Sequence, residues 1–204
     1  GLGDETLVGE FALASLDLYF FMWLKPQLTA LHPFWADTAL ANVGHFLFGK
    51  DPWRYLTFML NEWVGMMYTP IWFTTVIASM YWLLLQAPNE RRARLLVTYF
   101  LLWSVLGPIG QTFFSSAGPI FYHRIYGLPR YDELTARLPK VTRLSSDYLW
   151  DAYKRGQLAY GAGISAMPSL HVGTVTWGVL VFHREHRWLR IMSWAFAIFI
   201  MACG

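Results

Sequence analysis

The segment 163–173 has the sequence Gly-Ile-Ser-Ala-Met-Pro-Ser-Leu-His-Val-Gly, which combines residues that bind phosphate and transfer protons. Pro168 favours a helix start, since its fixed φ suits the first turn and it has no N–H that needs a partner. Ser169 and His171 then lie on that turn, where free N–H groups and the helix dipole attract anions such as phosphate. A histidine there can hydrogen-bond a phosphate oxygen or protonate a leaving group. The alternative is a capping serine followed by a histidine that the protein itself satisfies.

The composition indicates a membrane protein. Of the 204 residues, 55% are hydrophobic and 14% are charged, whereas soluble domains have about 25% charged residues. The net charge is only +3, and the basic residues are dispersed and do not alternate with aromatic ones. We therefore expect no nucleic-acid partner. The single cysteine, Cys203, excludes an internal disulfide and a cysteine-based metal site. We expect one domain over residues 1–204, cut at both ends, with no metal ion and no cofactor.

Uncharged runs predict the helices that must position the motif. Residues 63–86 are a run of 24 residues without a charge, which as a helix spans about 36 Å, enough to cross a bilayer. Residues 95–114 predict a second span, and another begins at Ile191. The run at 169–182 is shorter, about 21 Å as a helix. Its start is therefore expected to lie below the membrane surface, inside the protein.

Two short basic loops predict the orientation. Residues 87–94 and 183–190 each contain three arginines, and the positive-inside rule places both loops in the cytoplasm. The two predicted spans between them agree with this. Residues 115–168 and the motif then lie on the extracytoplasmic side. The charged residues of this loop suggest either a folded cap above the membrane or a plain solvated face.

The N-terminal third gives weaker signals. Residues 7–24 are apolar but contain Asp17, so they form a span only if this side chain faces the interior of the bundle. Residues 25–61 contain several prolines and glycines and predict short amphipathic helices at the outer interface. His32 and His45 have no partner pattern and are assigned to that interface.

The motif resembles the phosphatidic acid phosphatase type 2 (PAP2) superfamily, specifically its inositolphosphotransferase-like (inositol phosphorylceramide synthase-like) membrane branch. Residues 163–171 are similar to the second motif of that branch, with Leu170 where other branches have glycine. Two weaker similarities lie at residues 47–52 and 116–122, and follow in the right order. The resemblance implies an all-α, multi-pass transmembrane bundle of about six helices, with its active site at the extracytoplasmic surface.

The same resemblance implies a chemistry. Members of the family cleave or transfer lipid phosphate esters without metal, through a phosphohistidine intermediate. By this resemblance, Ser169 and the neighbouring amides, including that of Leu170, bind phosphate, and His171 protonates the leaving oxygen. The implied partners are a lipid phosphate substrate and the bilayer, while the oligomeric state is left open.

Two features of the family are missing from the sequence. The nucleophilic histidine should be followed by an aspartate four residues later, and neither His183 nor His186 has this spacing, so we expect the nucleophile beyond Gly204. The first motif, Lys-x6-Arg-Pro, is also absent. Candidates for its role as a phosphate clamp are Arg124 and Arg130, through bidentate contacts, with a solvated loop arginine as the alternative for each.

Further residues and one other functional class stay open at this stage. Tyr122 and His123 follow the predicted span at 95–114 and are candidates for lining the site. With water as acceptor the reaction is hydrolysis, and with a second alcohol it is transfer. The alternative to a lipid phosphatase or phosphotransferase is a non-catalytic lipid-binding or transport protein that keeps the PAP2 fold.

Overall fold

The structure, a computed structural model, describes residues 2–31, 34–156 and 163–203, so that His32 lies outside the described residues. Within these ranges it is all-α, as predicted, and contains no strand. Short 3₁₀ and π turns join the helices. The helices are α1 (Leu2–Leu31), α2 (Asp37–Phe48), α3 (Glu62–Leu85), α4 (Glu90–Leu101), α5 (Gly107–Phe113), α6 (Tyr122–Tyr126), α7 (Asp132–Ala136), α8 (Lys140–Lys154), α9 (Leu170–Phe182) and α10 (Arg187–Cys203).

Two helical stretches are long and apolar enough to cross a membrane. One is α3, and the other runs over Glu90–Phe113 through α4, a π turn and α5. Their cores are the two uncharged runs predicted from the sequence. Each begins at an asparagine that caps the first turn, since Asn61 accepts from the N–H of Val64 and Asn89 accepts from the N–H of Arg92. The apolar α9 is shorter, with 13 residues.

Two predicted boundaries were wrong. The basic loop expected at 87–94 is shorter, because the Asn89 cap starts α4 at Glu90 and places the arginines on the helix. The first helix does not end near residue 24 but continues through Pro26 to Leu31. Pro26 has no N–H to donate to the carbonyl of Met22, one turn earlier, but the loss of this one bond does not end the helix.

The core lies around α9, which packs against α3, α4 and α10. Trp177 of α9 is fully buried and its indole N–H donates to the carbonyl of Leu95 at 2.8 Å. Tyr99 and Trp103 pack in the same apolar cluster. Asp17 of α1 accepts a hydrogen bond from Ser104, so it faces the neighbouring helix, but α1 is not among the helices that are long and apolar enough to cross a membrane.

The ends of α9 lie at opposite ends of the bundle. At its C-terminal end, Arg91 donates to the carbonyls of Leu180 and Val181 at 2.9 and 2.8 Å, and Gln86 donates to Glu185 at 2.9 Å. The two predicted basic loops therefore lie side by side. The motif lies at the other end, together with the helices α6, α7 and α8, which we call the cap.

Candidate active site at the start of α9

The helix α9 begins one residue later than Pro168 would suggest. Ser169 is its N-cap, and the side-chain oxygen accepts from the N–H of Val172 at 3.4 Å. Pro168 precedes the cap and lies outside the helix. Within the described part of the chain, the N–H groups of Leu170 and His171 have no acceptor. The first turn therefore offers two free donors at the positive end of the helix dipole.

His171 is held by aromatic rings rather than by hydrogen bonds. The centroid of its ring lies 4.1 Å from that of Trp72 and 5.3 Å from that of Tyr68. Trp72 is itself fixed, because its indole N–H donates to the hydroxyl of Thr174 at 2.9 Å. Among the described residues the half-buried imidazole has no hydrogen-bond partner. Its nitrogens are therefore available to a ligand, unlike those of a histidine satisfied by the core.

The loop before the motif is held by a short segment that follows α5. Ser116 and Met167 form an antiparallel bridge, and the N–H of Ala166 donates to the carbonyl of Ser116 at 2.8 Å. The hydroxyl of Ser116 in turn donates to the buried carboxylate of Asp37 at 2.6 Å. This chain of contacts links α2 to the residues immediately before Pro168.

Asp37 organises the same loop from the first turn of α2. Its two oxygens accept from the N–H groups of Gly118 at 2.7 Å and Ala117 at 3.0 Å. The Tyr126 hydroxyl also donates to it, at 3.1 Å. Burial, together with the charge of Asp37, raises the pKa of Tyr126, so the phenol stays protonated and remains a donor. In all four of these hydrogen bonds, the carboxylate of Asp37 is the acceptor.

We expect the Asp37→Asn variant to lose both stability and activity. Whichever oxygen becomes the amide nitrogen, it would face a backbone N–H, of Ala117 or of Gly118, which can only donate. That buried N–H would lose its acceptor at a cost of about 1–3 kcal/mol. The loosened loop would misplace the motif and lower kcat. Thermal unfolding and kcat measure the two effects, with the exposed Asp151→Asn of α8 as the control. An unchanged melting temperature and kcat would contradict the positioning role.

The helix α5 fixes the motif from the other side through close packing. A Cβ on Gly110 would lie 2.5 Å from Cγ of Pro168. A Cβ on Gly107 would lie 2.6 Å from Phe21 and 3.1 Å from Leu170. The two glycines, one turn apart, let the backbone of α5 approach the residues on both sides of Ser169.

The helix α1 holds the beginning of the motif. The hydroxyl of Thr29 donates to the carbonyl of Ile164 at 3.0 Å. Gln111 of α5 donates to Thr29 at 2.8 Å and to the carbonyl of Lys25 at 3.2 Å. The helices α1, α2 and α5, all distant from the motif in sequence, thus hold residues 163–171 in place.

The predicted phosphate clamps lie in and around the cap, where each is bound to a carboxylate. Arg124 pairs with Asp147. Arg130 donates to Asp51 at 2.7 Å and to Asn42 at 2.7 Å, and these bonds with Asp51 raise the pKa of Arg130. No described contact joins either arginine to Ser169 or His171, and their role as phosphate ligands stays a prediction.

The two candidate lining residues are also in the cap. The hydroxyl of Tyr122 lies 3.2 Å from that of Thr38, and His123 lies 2.7 Å from Asp132. His123 and Arg124 line a surface cavity of about 380 Å³ formed by residues of the cap. Neither motif residue, Ser169 nor His171, is among the residues that line this cavity.

Sequence reasoning missed the residues that hold the histidine and the loop. Tyr68 and Trp72 are four residues apart and therefore share a face of α3, a signal that identifies the face but not its partner. Gly107 and Gly110 are three residues apart, a spacing that indicates close packing of another segment against one face of α5. Asp37 gave no signal, because its partners lie about 80 residues away. Among the described residues, no group of three His, Cys, Asp or Glu side chains is arranged to hold a metal ion.

The family of the chain follows from comparison with known proteins. Free N–H groups at the start of a helix are a common place for a phosphate to bind. The sequence model of the PAP2 superfamily matches residues 50–203. The chain therefore belongs to the PAP2 superfamily, whose members act on phosphate esters as phosphatases. No curated protein and no solved structure matches the chain. The inositolphosphotransferase-like branch stays a prediction.

Proposed function

We propose that the chain is the phosphate-binding and proton-donating part of a membrane lipid phosphatase or phosphotransferase. The observation that supports this best is the first turn of α9. There His171, whose imidazole has no hydrogen-bond partner among the described residues, lies beside the free N–H groups of Leu170 and His171 itself. Such donors stabilise the charge that develops on the phosphoryl oxygens.

The reaction has two steps. A nucleophilic histidine, which the family resemblance implies, forms a bond to phosphorus while the bond to the leaving oxygen breaks. His171 gives its proton to that oxygen, so a neutral alcohol departs. Water or a second alcohol then attacks the phosphohistidine and gives its proton to His171. The enzyme returns to its starting state, with phosphate or a new ester as product.

An apolar cavity supports a lipid as the substrate. It has a volume of about 330 Å³ and lies between α3, α9 and α10, where Ile71, Val175 and Phe196 line it. Thr174 also lines it, and this residue accepts the hydrogen bond of the indole that contacts His171. The cavity therefore begins about one turn of α9 beyond His171. An acyl or prenyl chain bound there would bring its phosphate towards Ser169.

Exposed apolar side chains support a membrane location. On α10, the side chains of Trp188, Met192, Ile198 and Met201 are each more than half exposed. A face of this kind is stable in contact with lipid and unfavourable in water. With the basic loops in the cytoplasm by the positive-inside rule, the motif at the opposite end of α9 faces the extracytoplasmic side.

The proposal is tested with the protein reconstituted in liposomes with phosphatidic acid. We expect inorganic phosphate, or a phosphate monoester of the polyol when a polyol acceptor is present, to form on the extracytoplasmic side, and the rate to persist in a chelator. Loss of activity in chelator that a divalent ion restores would contradict the metal-free mechanism. Lipid binding without any turnover of phosphate esters would favour the non-catalytic alternative.

A further inference from the structure

Thr174 is a fully buried polar residue on the wall of the apolar cavity between α3, α9 and α10. A valine would line this cavity without burying a hydroxyl, as the neighbouring Val175 does. A buried hydroxyl is unfavourable unless its hydrogen bonds are satisfied. The groups that satisfy it therefore indicate what the threonine does.

The hydroxyl of Thr174 connects the first turn of α9 with the tryptophan beside His171. It donates to the carbonyl of Leu170 at 2.7 Å, and the carbonyl of His171 lies 3.1 Å away. The same oxygen accepts the indole N–H of Trp72 at 2.9 Å. The hydroxyl therefore joins α9 to α3 directly behind the site, through one bond that it donates and one that it accepts.

Trp72 transmits this constraint to the imidazole. The indole is buried, and its ring centroid lies 4.1 Å from that of His171. Tyr68 closes the other approach from α3, with its ring centroid 5.3 Å from the imidazole. Because closely packed rings cannot turn independently, the orientation of the indole sets the orientation of His171.

We propose that Thr174 and Trp72 are positioning residues for His171. The hydrogen bond between them fixes the indole, and the indole holds the imidazole where its proton reaches the leaving oxygen. This inference rests on the proposed function and adds the groups that orient its acid. A catalytic group displaced by about 1 Å can lose about 100-fold in rate, so a hydroxyl that does not touch the reacting atoms can control kcat.

The test removes this hydrogen bond from either side and compares two leaving groups. Thr174→Val keeps the shape of the side chain but has no acceptor, and Trp72→Phe keeps a ring but has no N–H. With the protein in liposomes, we expect each to lower kcat on phosphatidic acid about 10- to 100-fold, with little change in KM. On p-nitrophenyl phosphate, whose leaving group needs no proton, the loss should be much smaller. Thr174→Ser, which keeps the hydroxyl, should recover most of the rate.

Two residues of α9 provide matched controls. Thr176 is exposed, and its hydroxyl donates to the carbonyl of Val172 at 2.8 Å, so Thr176→Val should leave both rates unchanged. Trp177 is buried, and its indole N–H donates to the carbonyl of Leu95. Trp177→Phe should therefore lower the melting temperature, as Trp72→Phe does, but without a difference between the two substrates.

Three results would overturn the proposal. The first is a kcat on phosphatidic acid that Thr174→Val leaves unchanged, or lowers no more than the kcat on p-nitrophenyl phosphate. The second is the same selective loss in Trp177→Phe, because the loss would then follow stability. The third is a double variant, Thr174→Val with Trp72→Phe, whose loss equals the product of the single losses, since two changes that break one hydrogen bond should not add.

His171→Gln separates this proposal from the proposed function. If His171→Gln shows the selective loss on phosphatidic acid and Thr174→Val does not, the positioning role is wrong and the proton-donating role of His171 stands. If His171→Gln shows no selective loss, the proposed function itself is wrong.

Discussion

Replacement of His171 by glutamine is expected to lower kcat for a lipid phosphate about 10²- to 10⁴-fold, the usual contribution of a positioned acid. Glutamine keeps a polar side chain beside Trp72 and Tyr68, so the fold should persist, but it cannot release a proton to the leaving alcohol. The measurement is phosphate release in liposomes. His183→Gln, in the loop at the opposite end of α9, is the matched control.

The leaving group makes this prediction specific to proton donation. The leaving oxygen of an alkyl phosphate needs a proton, whereas p-nitrophenyl phosphate releases p-nitrophenolate, which is stable without one. We therefore expect His171→Gln to lose far less activity on p-nitrophenyl phosphate than on phosphatidic acid. Equal losses on both substrates would contradict the role of general acid and would indicate a role in binding.

The Gly110→Ala variant is expected to remove most activity although it adds one methyl group. Its Cβ would lie 2.5 Å from Cγ and 2.8 Å from Cδ of Pro168. Neither atom is at the end of a flexible side chain, so the proline must move and carry the turn at Ser169 with it. We expect a loss of about 1–3 kcal/mol in the free energy of unfolding from overpacking. A kcat lower by about 10²-fold should follow from the displaced site.

Denaturant unfolding and kcat measure the two effects in Gly110→Ala. The control is Gly9→Ala on α1, where a Cβ meets nothing within 4 Å. That change should stabilise the helix slightly, because alanine has the higher helix propensity. If Gly110→Ala retains the activity of the unchanged protein, the packing of Pro168 against α5 does not position the site.

Several elements were predictable because their causes are local. The uncharged runs at 63–86 and 95–114 predicted two long apolar helices, since hydropathy is a property of consecutive residues. The motif predicted a helix start, with a capping serine as the alternative to a phosphate-binding one, because capping involves residues three apart. The starts of α3 and α4 obey the same local rule through Asn61 and Asn89, although the loop predicted at 87–94 left the second cap out. The match to the PAP2 superfamily confirms the family that these residues indicated.

Other features depended on partners distant in the sequence. The continuation of α1 past Pro26 put Lys25 next to Gly163, more than 130 residues away. The pairing of Arg130 with Asp51 could not be inferred from the loop alone.

The sequence by itself thus determined the helical class, the longest apolar helices and the residue types of the site. The tertiary structure decided which side chains surround that site: the rings of Tyr68 and Trp72 on His171, the carboxylate of Asp37 under the preceding loop, and the packing of Gly110 on Pro168. The physical reason is range. Helix formation and capping are set within a few residues, whereas packing and charge pairing are set by contacts that exist only after the chain has folded.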